Sequence, residues 1–392
     1  MQQMQDDRIR QKITQGFQKC FGYSPKMLSQ APGRLEILGN HTDYNQGTVL
    51  SVAVDRAMYI AAAPARNPFG RCRVVDLISN SRRTIELQKL GNPRKGDWGN
   101  YLKGLLVELN RRGIPVPAFD AVLYGTVPLS AGMSSSAALE MAMLLILLRL
   151  ANTELPWLEC ARIGQACENQ YVGANTGLMD QFSSLMGKKG HLIYSDFRDY
   201  TVKNVPIPEG TAFVVANSMV KHNLTNEYNE RRQACEEAVR ILAGIYSGVT
   251  ALRDISPEQL LAAETQLPPL VFQRALHVVG EIARVEKGCT ALENGEIARF
   301  GKLLQESHQS SCIHFENSCS EIDCLVEIGE RLPGYLGARL SGGGFGGISV
   351  HLVKAQFAVQ YQQALEKAYL EQCGIQTSTM FCQAADGARL VY

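Results

Sequence analysis

Residues 127–138, with the sequence VPLSAGMSSSAA, combine glycine, alanine and serine between a predicted strand and a predicted helix. We call this segment the serine loop. Small side chains let a backbone approach a ligand closely, and the start of a helix offers unpaired N–H groups and the positive end of the helix dipole. These properties suit a phosphate group. The alternative is that Ser134, Ser135 and Ser136 only cap a core helix. The segment lacks the Gly-Lys-Ser/Thr ending of the Walker loop.

A second segment, residues 341–347 with the sequence SGGGFGG, contains five glycines around one phenylalanine. We call it the glycine loop. Gly342, Gly344 and Gly347 satisfy the spacing G-x-G-x-x-G, but the following residues alternate like a strand, whereas a dinucleotide-binding fold requires a helix there. The loop can still adopt positive φ angles and press against a ligand. A tight hairpin without a ligand is the alternative.

The third segment, residues 31–45 with the sequence APGRLEILGNHTDYN, is rich in side chains that form hydrogen bonds. We call it the polar segment. Its stretch from Asn40 to Asn45 has the composition expected for recognising hydroxyl groups. An ordinary turn rich in Asn and Asp is the other interpretation.

Hydrophobic periodicity predicts the elements that position these segments. Up to about residue 100, short alternating stretches between polar turns predict strands. After Trp98, apolar residues recur at spacings of three and four, which predicts helices, including a long apolar helix that follows the serine loop and ends near Leu150. The chain closes with strands on both sides of the glycine loop and a further helix. This order predicts an α+β fold with helices on one face of an antiparallel sheet, and a domain boundary near residues 190–205.

The composition excludes several classes of protein. The formal charge is +1 over 392 residues, which argues against a nucleic-acid binder with a broad basic surface. The longest apolar run, residues 141–148, is far shorter than the roughly 20 residues that span a bilayer. The N-terminus lacks the pattern of a secretory signal, and the eleven cysteines form no regular framework. We therefore expect a cytoplasmic protein without a nucleic-acid or membrane partner.

In chain order, the polar segment, the serine loop and the glycine loop resemble the three motifs of the GHMP small-molecule kinases, and specifically of their galactokinase branch. Residues 177–182 (GLMDQF) and 221–232 (KHNLTNEYNERR) extend the resemblance over nearly the whole chain. It implies a two-domain α+β fold. Residues 1–200 would form an N-terminal α/β domain with a mixed sheet, and residues 201–392 a C-terminal domain with helices packed on an antiparallel sheet.

The resemblance assigns the catalytic base to Asp180, the acidic residue of the Met-Asp-Gln motif. A carboxylate within hydrogen-bond distance can take the proton of a sugar hydroxyl as the bond to phosphorus forms. Arg34 matches the family arginine that stabilises charge near the transferred phosphoryl group, and a guanidinium suits that task.

The resemblance also assigns the nucleotide and metal contacts. The magnesium ligands of the family match Ser136 and Glu168, which stands twelve residues before Asp180, and hard oxygen ligands suit Mg²⁺. An ordinary ion pair on a helix surface is the alternative for Glu168. The residues that match the ATP-phosphate loop are Ser130, Ala131, Gly132, Met133, Ser134, Ser135 and Ser136.

The residues that match the sugar site of the family are Asn40, His41, Thr42, Asp43 and Tyr228. Two positions depart from the family pattern, because Glu36 stands where Asn is usual and Asn40 replaces a glutamate that binds the hydroxyl at the far end of the sugar. One hypothesis is that Asn40 admits a sugar altered at carbon 6, such as galacturonate, since an amide does not repel a carboxylate. The other is that Glu36 and Asn40 are a compensating exchange that retains galactose.

The reaction implied is direct in-line transfer of the γ-phosphoryl group of ATP to the anomeric hydroxyl of a monosaccharide, most simply galactose, with Mg²⁺ as cofactor. The expected partners are ATP and the sugar, and we expect a monomer, with an oligomer left open. A sugar and ATP sensor without catalysis is the alternative of a different class. Such sensors lose part of the serine-alanine stretch, which this chain keeps at residues 134–138.

Overall fold

The computed structural model of the chain describes residues 2–66, 70–128, 132–174, 176–220 and 225–392. Its strands are β1 (Met27–Leu38), β2 (Thr48–Pro64), β3 (Arg71–Asp76), β4 (Arg82–Glu86), β5 (Phe119–Gly125), β6 (His191–Asp196), β7 (Thr201–Pro206), β8 (Thr211–Asn217), β9 (Tyr335–Ser341), β10 (Ile348–Lys354), β11 (Thr379–Cys382) and β12 (Arg389–Leu390). Its α-helices are α1 (Gln2–Phe21), α2 (Gly99–Arg111), α3 (Ser135–Leu150), α4 (Trp157–Ala166), α5 (Met179–Met186), α6 (Thr225–Ala243), α7 (Pro257–Ala262), α8 (Pro269–Glu293), α9 (Ile297–Ser310), α10 (Ser320–Glu330) and α11 (Ala358–Cys373). Among these described helices, none has the length and apolar character needed to cross a membrane.

The larger sheet is mixed and has eight strands. Its main order is β12-β1-β2-β5-β3-β4, and β2 also pairs with β6, which pairs with β7. β3 and β5 run parallel, whereas the other pairs are antiparallel. β1 is buried along its whole length, and the apolar helix α3 packs against it. The strand that carries residues 31–38 of the polar segment therefore lies in the protein interior.

The smaller sheet is antiparallel, with the order β11-β8-β10-β9, and the glycine loop connects β9 to β10. Helices α10 and α11 pack on it through apolar side chains. The predicted α+β class, the mixed sheet and the helices on an antiparallel sheet are therefore confirmed. The boundary near residue 200 stays a prediction: β7 belongs to the larger sheet, and β12, at the end of the chain, also pairs into it.

Candidate active site

Arg34 is aimed by an irregularity in β1. The pairing of β1 with β2 shifts between Pro32 and Arg34, at Gly33. A Cβ atom on Gly33 would lie 2.7 Å from the carbonyl oxygen of Met133, so only glycine allows this close approach of strand and serine loop. The Arg34 N–H then donates to the Met133 carbonyl (3.1 Å) and its Nη1 to the Gly132 carbonyl (2.5 Å). Strand β1 and the serine loop are therefore held together at the arginine.

Asp180 lies in the first turn of α5 and faces Arg34. Its Oδ1 accepts hydrogen bonds from Nε (2.8 Å) and Nη2 (2.7 Å) of Arg34. Its Oδ2 accepts a short hydrogen bond from the hydroxyl of Ser134. Arg34 is nearly enclosed, while Asp180 stays open to the cavity described below. The ion pair fixes the carboxylate and leaves it accessible to a ligand.

The serine loop leads directly into α3. Ser134 adopts φ 51° and precedes the helix, which begins at Ser135 and Ser136, so the first N–H groups of α3 lie beside Arg34 and Asp180. Such N–H groups suit phosphate oxygens. Of the predicted nucleotide contacts, Ser130 and Ala131 lie outside the described residues. The remaining ones are Gly132, Met133, Ser134, Ser135 and Ser136.

A buried group of oxygen-bearing side chains lies behind this helix start. Glu168 is hydrogen-bonded to Ser136, accepts from Oγ1 of Thr176 (2.6 Å) and from Nε2 of Gln181 (3.2 Å), and is enclosed. Burial raises the pKa of Glu168, and the negative charge of Asp180 adds to the shift. Nε2 of Gln181 also donates to the buried carboxyl group of Glu140 (3.1 Å), while Oε1 of Gln181 is enclosed without a hydrogen-bond donor among the described residues.

This donor set fits a magnesium ion. It consists of carboxylate, hydroxyl and amide oxygens, which Mg²⁺ prefers, and burial disfavours the negative charge that a cation would neutralise. The oxygen of Gln181 that lacks a donor also agrees with a cation or water nearby. Ser136 and Glu168 are the residues that would hold the ion.

A cavity of about 260 Å³ opens beside Asp180, near the lower end of the volumes typical of small-ligand sites. Residues from both halves of the chain line it: Arg34, Glu36, Asn40, His41, Asp43, Ala174, Thr176, Gly177, Met179, Asp180, Tyr228, Asn229 and Gly343. The predicted sugar residues Asn40, His41, Asp43 and Tyr228 therefore share one cavity with Arg34 and Asp180. Thr42 lies behind it, since its hydroxyl is enclosed against the carbonyls of Gly39 (2.8 Å) and Thr48 (2.7 Å).

Asp43 presents its carboxylate to the cavity. Burial raises its pKa to about 6, and the nearby negative charges of Glu36 and Asp180 add to the shift. Its side chain fits tightly against Gly177, where a Cβ atom would lie 1.6 Å from Oδ2 of Asp43. The missing side chain at residue 177 thus makes the space that Asp43 occupies.

His41 is a neutral wall of the cavity. Burial lowers its pKa to about 4. Its Nε2 faces the carbonyl of Gly343 (3.2 Å), which only accepts, so Nε2 carries the proton and Nδ1 accepts from the hydroxyl of Tyr44 (2.9 Å). The hydrogen bond from His41 to Gly343 joins the polar segment to the glycine loop. The ring centroid of Tyr228 lies 5.0 Å from that of His41.

The two unusual residues of the polar segment, Glu36 and Asn40, contact each other. Nδ2 of Asn40 donates to Oε1 of Glu36 (2.8 Å) and to the carbonyl of Gly342 (2.9 Å). The same Oε1 accepts from Nη1 of Arg339 (3.0 Å), an arginine on β9 that is fully enclosed. Burial raises the pKa of Glu36, and Arg339 opposes the shift.

Sequence reasoning missed the side chains of the C-terminal half that hold this region. Oε2 of Glu281, on α8, accepts from the backbone N–H groups of Gly39 and Asn40, each at 3.0 Å. Burial alone would raise the pKa of Glu281, but Arg284 and other positive neighbours hold it below its usual range. Nδ2 of Asn317 donates to Oδ1 of Asn40 (2.9 Å). No local pattern marks these residues, because their partners are more than 200 positions away.

A separate cluster contains His308, Cys312 and Asp323, whose ligand atoms lie within 4.8 Å of one another. The N–H of Leu340 faces Nδ1 of His308 (3.4 Å), so Nε2 carries the proton and faces Asp323 (3.4 Å). Burial lowers the pKa of His308 to about 4 and raises that of Cys312 to about 12. The three side chains are joined by contacts to one another, and none of them lines the cavity beside Asp180.

Comparison with protein families gives three matches along the chain. The galactokinase galactose-binding signature matches residues 15–64, the N-terminal domain of GHMP kinases matches residues 100–188, and the C-terminal domain of GHMP kinases matches residues 290–370. These ranges contain the polar segment, the serine loop with Asp180, and the glycine loop, respectively.

Individual proteins are similar over nearly the full length. A galactokinase from Roseiflexus sp. is 38% identical over 377 residues, which cover 96% of each chain. One from Glaesserella parasuis is 38% identical over 384 residues, covering 96% of this chain and 97% of the relative.

Solved structures give the same result. The crystal structure of Lactococcus lactis galactokinase complexed with galactose superposes with a TM-score of 0.91 at 29% identity, covering 96% of this chain and 98% of that one. A Methanococcus jannaschii mevalonate kinase, at 17% identity, shares the fold with a TM-score of 0.62, covering 92% of this chain and 98% of that one.

Proposed function

The chain belongs to the galactokinase family of the GHMP kinases, and on this premise we propose that it transfers the γ-phosphoryl group of ATP to the anomeric hydroxyl of galactose. The products are galactose 1-phosphate and ADP. The observation that carries the proposal is the single cavity in which the Arg34–Asp180 ion pair meets Asp43, His41 and Tyr228.

Asp180 is the base in this proposal. Its carboxylate takes the proton of the anomeric hydroxyl as that oxygen bonds to the γ-phosphorus and the bond from phosphorus to the β-phosphate oxygen breaks. Arg34 orients Asp180 through two hydrogen bonds and brings positive charge next to the transferred group. The first N–H groups of α3, after Ser134, hold phosphate oxygens. No covalent enzyme intermediate is needed.

Ser136 and Glu168 would hold Mg²⁺ in this proposal. The ion, when bound, neutralises phosphate charge on ATP. Asp43 accepts hydrogen bonds from hydroxyl groups of the sugar, and His41 and Tyr228 form a wall against which the sugar rests.

Because all eleven cysteines are unpaired thiols, we also propose that the enzyme works in the reducing environment of the cytoplasm.

The test is ADP release with ATP and a panel of monosaccharides that includes galactose, glucose and galacturonate. We expect turnover with galactose at least tenfold above that with either other sugar. The variant Asn40→Glu checks the uronic-acid hypothesis, because a glutamate at that position would exclude galacturonate. Preference for galacturonate by the wild type would refute galactose as the substrate, and no ADP release with any sugar would favour the sensor.

A further inference from the structure

Glu36 and Asn40, the two positions at which the polar segment departs from the family pattern, form one hydrogen-bonded unit at the cavity wall. Oε1 of Glu36 accepts from Nδ2 of Asn40 at 2.8 Å, and both residues line the cavity. A carboxylate and an amide are thus both present there. Their hydrogen-bond partners decide which of the two can bind a ligand.

The amide of Asn40 has no donor left. Its orientation is fixed by chemistry, because the Glu36 carboxylate and the Gly342 carbonyl are both acceptors, and the atom that faces both must be the NH₂ group. Both of its N–H bonds are thereby used. Its Oδ1 accepts from Asn317 at 2.9 Å, and its backbone N–H donates to Glu281 at 3.0 Å. Asn40 is 1% exposed, as expected of a side chain that supports the site from inside.

Of the two carboxylate oxygens of Glu36, Oε1 alone accepts hydrogen bonds from the described residues. Oε1 accepts from both Asn40 and Arg339 (3.0 Å). Among the described residues, none donates to Oε2. Oε2 is also absent from the set of their fully enclosed polar atoms without a hydrogen bond, so it is accessible to a ligand. Since Glu36 lines the cavity, Oε2 opens onto it. A carboxylate oxygen that faces the cavity and has no donor from the protein can accept a hydrogen bond from a bound ligand.

We propose that Glu36 accepts a hydrogen bond from one hydroxyl of the sugar through Oε2, and that Asn40 is the positioning residue that holds Glu36 in place. This inference rests on the proposed function and deepens it. Relative to the family pattern, the carboxylate thus stands at residue 36, on β1, and not at residue 40, in the loop that follows β1. An acceptor carboxylate selects a neutral sugar and repels a uronic acid.

The test combines a change in the enzyme with a change in the sugar. In Glu36→Gln, the side-chain oxygen stays on the donors Arg339 and Asn40, so the new NH₂ group faces the cavity in place of the acceptor. The kcat/KM of wild type and variant is measured with galactose and with 2-, 3-, 4- and 6-deoxygalactose. The ratio between two sugars within one preparation does not depend on the folded fraction. Glu36→Asp, which keeps a charge for Arg339 but shortens the reach, serves if the first variant does not fold.

For one deoxygalactose, we expect the wild type to lose roughly tenfold or more relative to galactose, and Glu36→Gln to lose little further activity on that analogue. This non-additivity identifies the hydroxyl that Glu36 contacts. Equal losses on galactose and on every deoxygalactose would overturn the role of Glu36 while leaving the kinase intact. Absence of wild-type turnover on galactose would overturn the proposed function, and this inference with it.

Glu108→Gln is the matched control. Glu108 is also a buried carboxylate bound by arginines, Arg111 at 2.6 Å and Arg112 at 2.7 Å, but it does not line the cavity. Its replacement should leave all ratios between sugars unchanged. A change in those ratios as large as that in Glu36→Gln would show that the effect is not specific to the cavity, and would overturn the proposal.

Discussion

Replacing Gly177 by alanine should expel Asp43 from the sugar cavity. The new Cβ atom would lie 1.6 Å from Oδ2 and 2.5 Å from Cγ of Asp43, so the carboxylate must move by roughly 2 Å to reach ordinary contact distance. The φ angle of Gly177 is not positive, and alanine is therefore compatible with the backbone. The collision alone decides the outcome.

The size of the effect follows from the hydrogen bonds that Asp43 would lose. One hydrogen bond from a hydroxyl to a charged carboxylate is worth about 1.5–3 kcal/mol, which corresponds to a rise in the KM for galactose of roughly 10- to 150-fold. The KM for ATP should change by less than about twofold. Both constants come from one ADP-release assay.

Gly187→Ala is the matched control for this prediction. Gly187 follows the other end of α5, and a Cβ atom there would also collide, with Ala53 at 2.4 Å and the Ala385 carbonyl at 2.8 Å, outside the cavity. It should lower stability without a selective rise in the KM for galactose. A folded Gly177→Ala enzyme with an unchanged KM for galactose would refute the assigned role of Asp43.

Three further predictions concern pH, metal and stability. Because the pKa of Asp43 is raised to about 6, its carboxyl group is protonated below that pH, and kcat/KM for galactose should fall about tenfold per pH unit there; a flat profile between pH 5 and 8 would contradict this. Glu168→Gln should weaken Mn²⁺ binding, measured by electron paramagnetic resonance without sugar, by about tenfold or more, whereas an unchanged affinity would remove Glu168 from the metal site. Glu281→Gln should lower the free energy of unfolding in urea by about 3 kcal/mol, since it leaves Arg284 without its buried partner; equal unfolding midpoints for variant and wild type would argue against that role.

The fold and the main segments of the site could be predicted because each has a local signal. The serine loop precedes an apolar helix, and α3 indeed begins at Ser135. The glycine loop precedes an alternating stretch, and β10 indeed begins at Ile348. Arg34 and Asp180 were expected near the transferred group from the family resemblance, and they form an ion pair at 2.7 Å.

The contacts around Asn40 could not be predicted, because they depend on distant residues. The Arg339 side chain reaches Glu36 across 303 positions of sequence, and that of Glu281 reaches the backbone of Asn40 across 241. The sequence also does not show that Thr42 points away from the cavity while its neighbours line it. The Thr42 hydroxyl is held by the backbone carbonyls of Gly39 and Thr48.

The most direct test of phosphoryl transfer to the anomeric hydroxyl with Asp180 as the base is ³¹P nuclear magnetic resonance of a mixture of galactose, ATP and enzyme, run in parallel with wild type and Asp180→Asn. We expect the wild type to form the 1-phosphate of galactose, and the variant to form it at least about 100-fold more slowly while still binding ATP. Phosphate on another carbon, or a variant as fast as the wild type, would contradict transfer to the anomeric hydroxyl with Asp180 as the base.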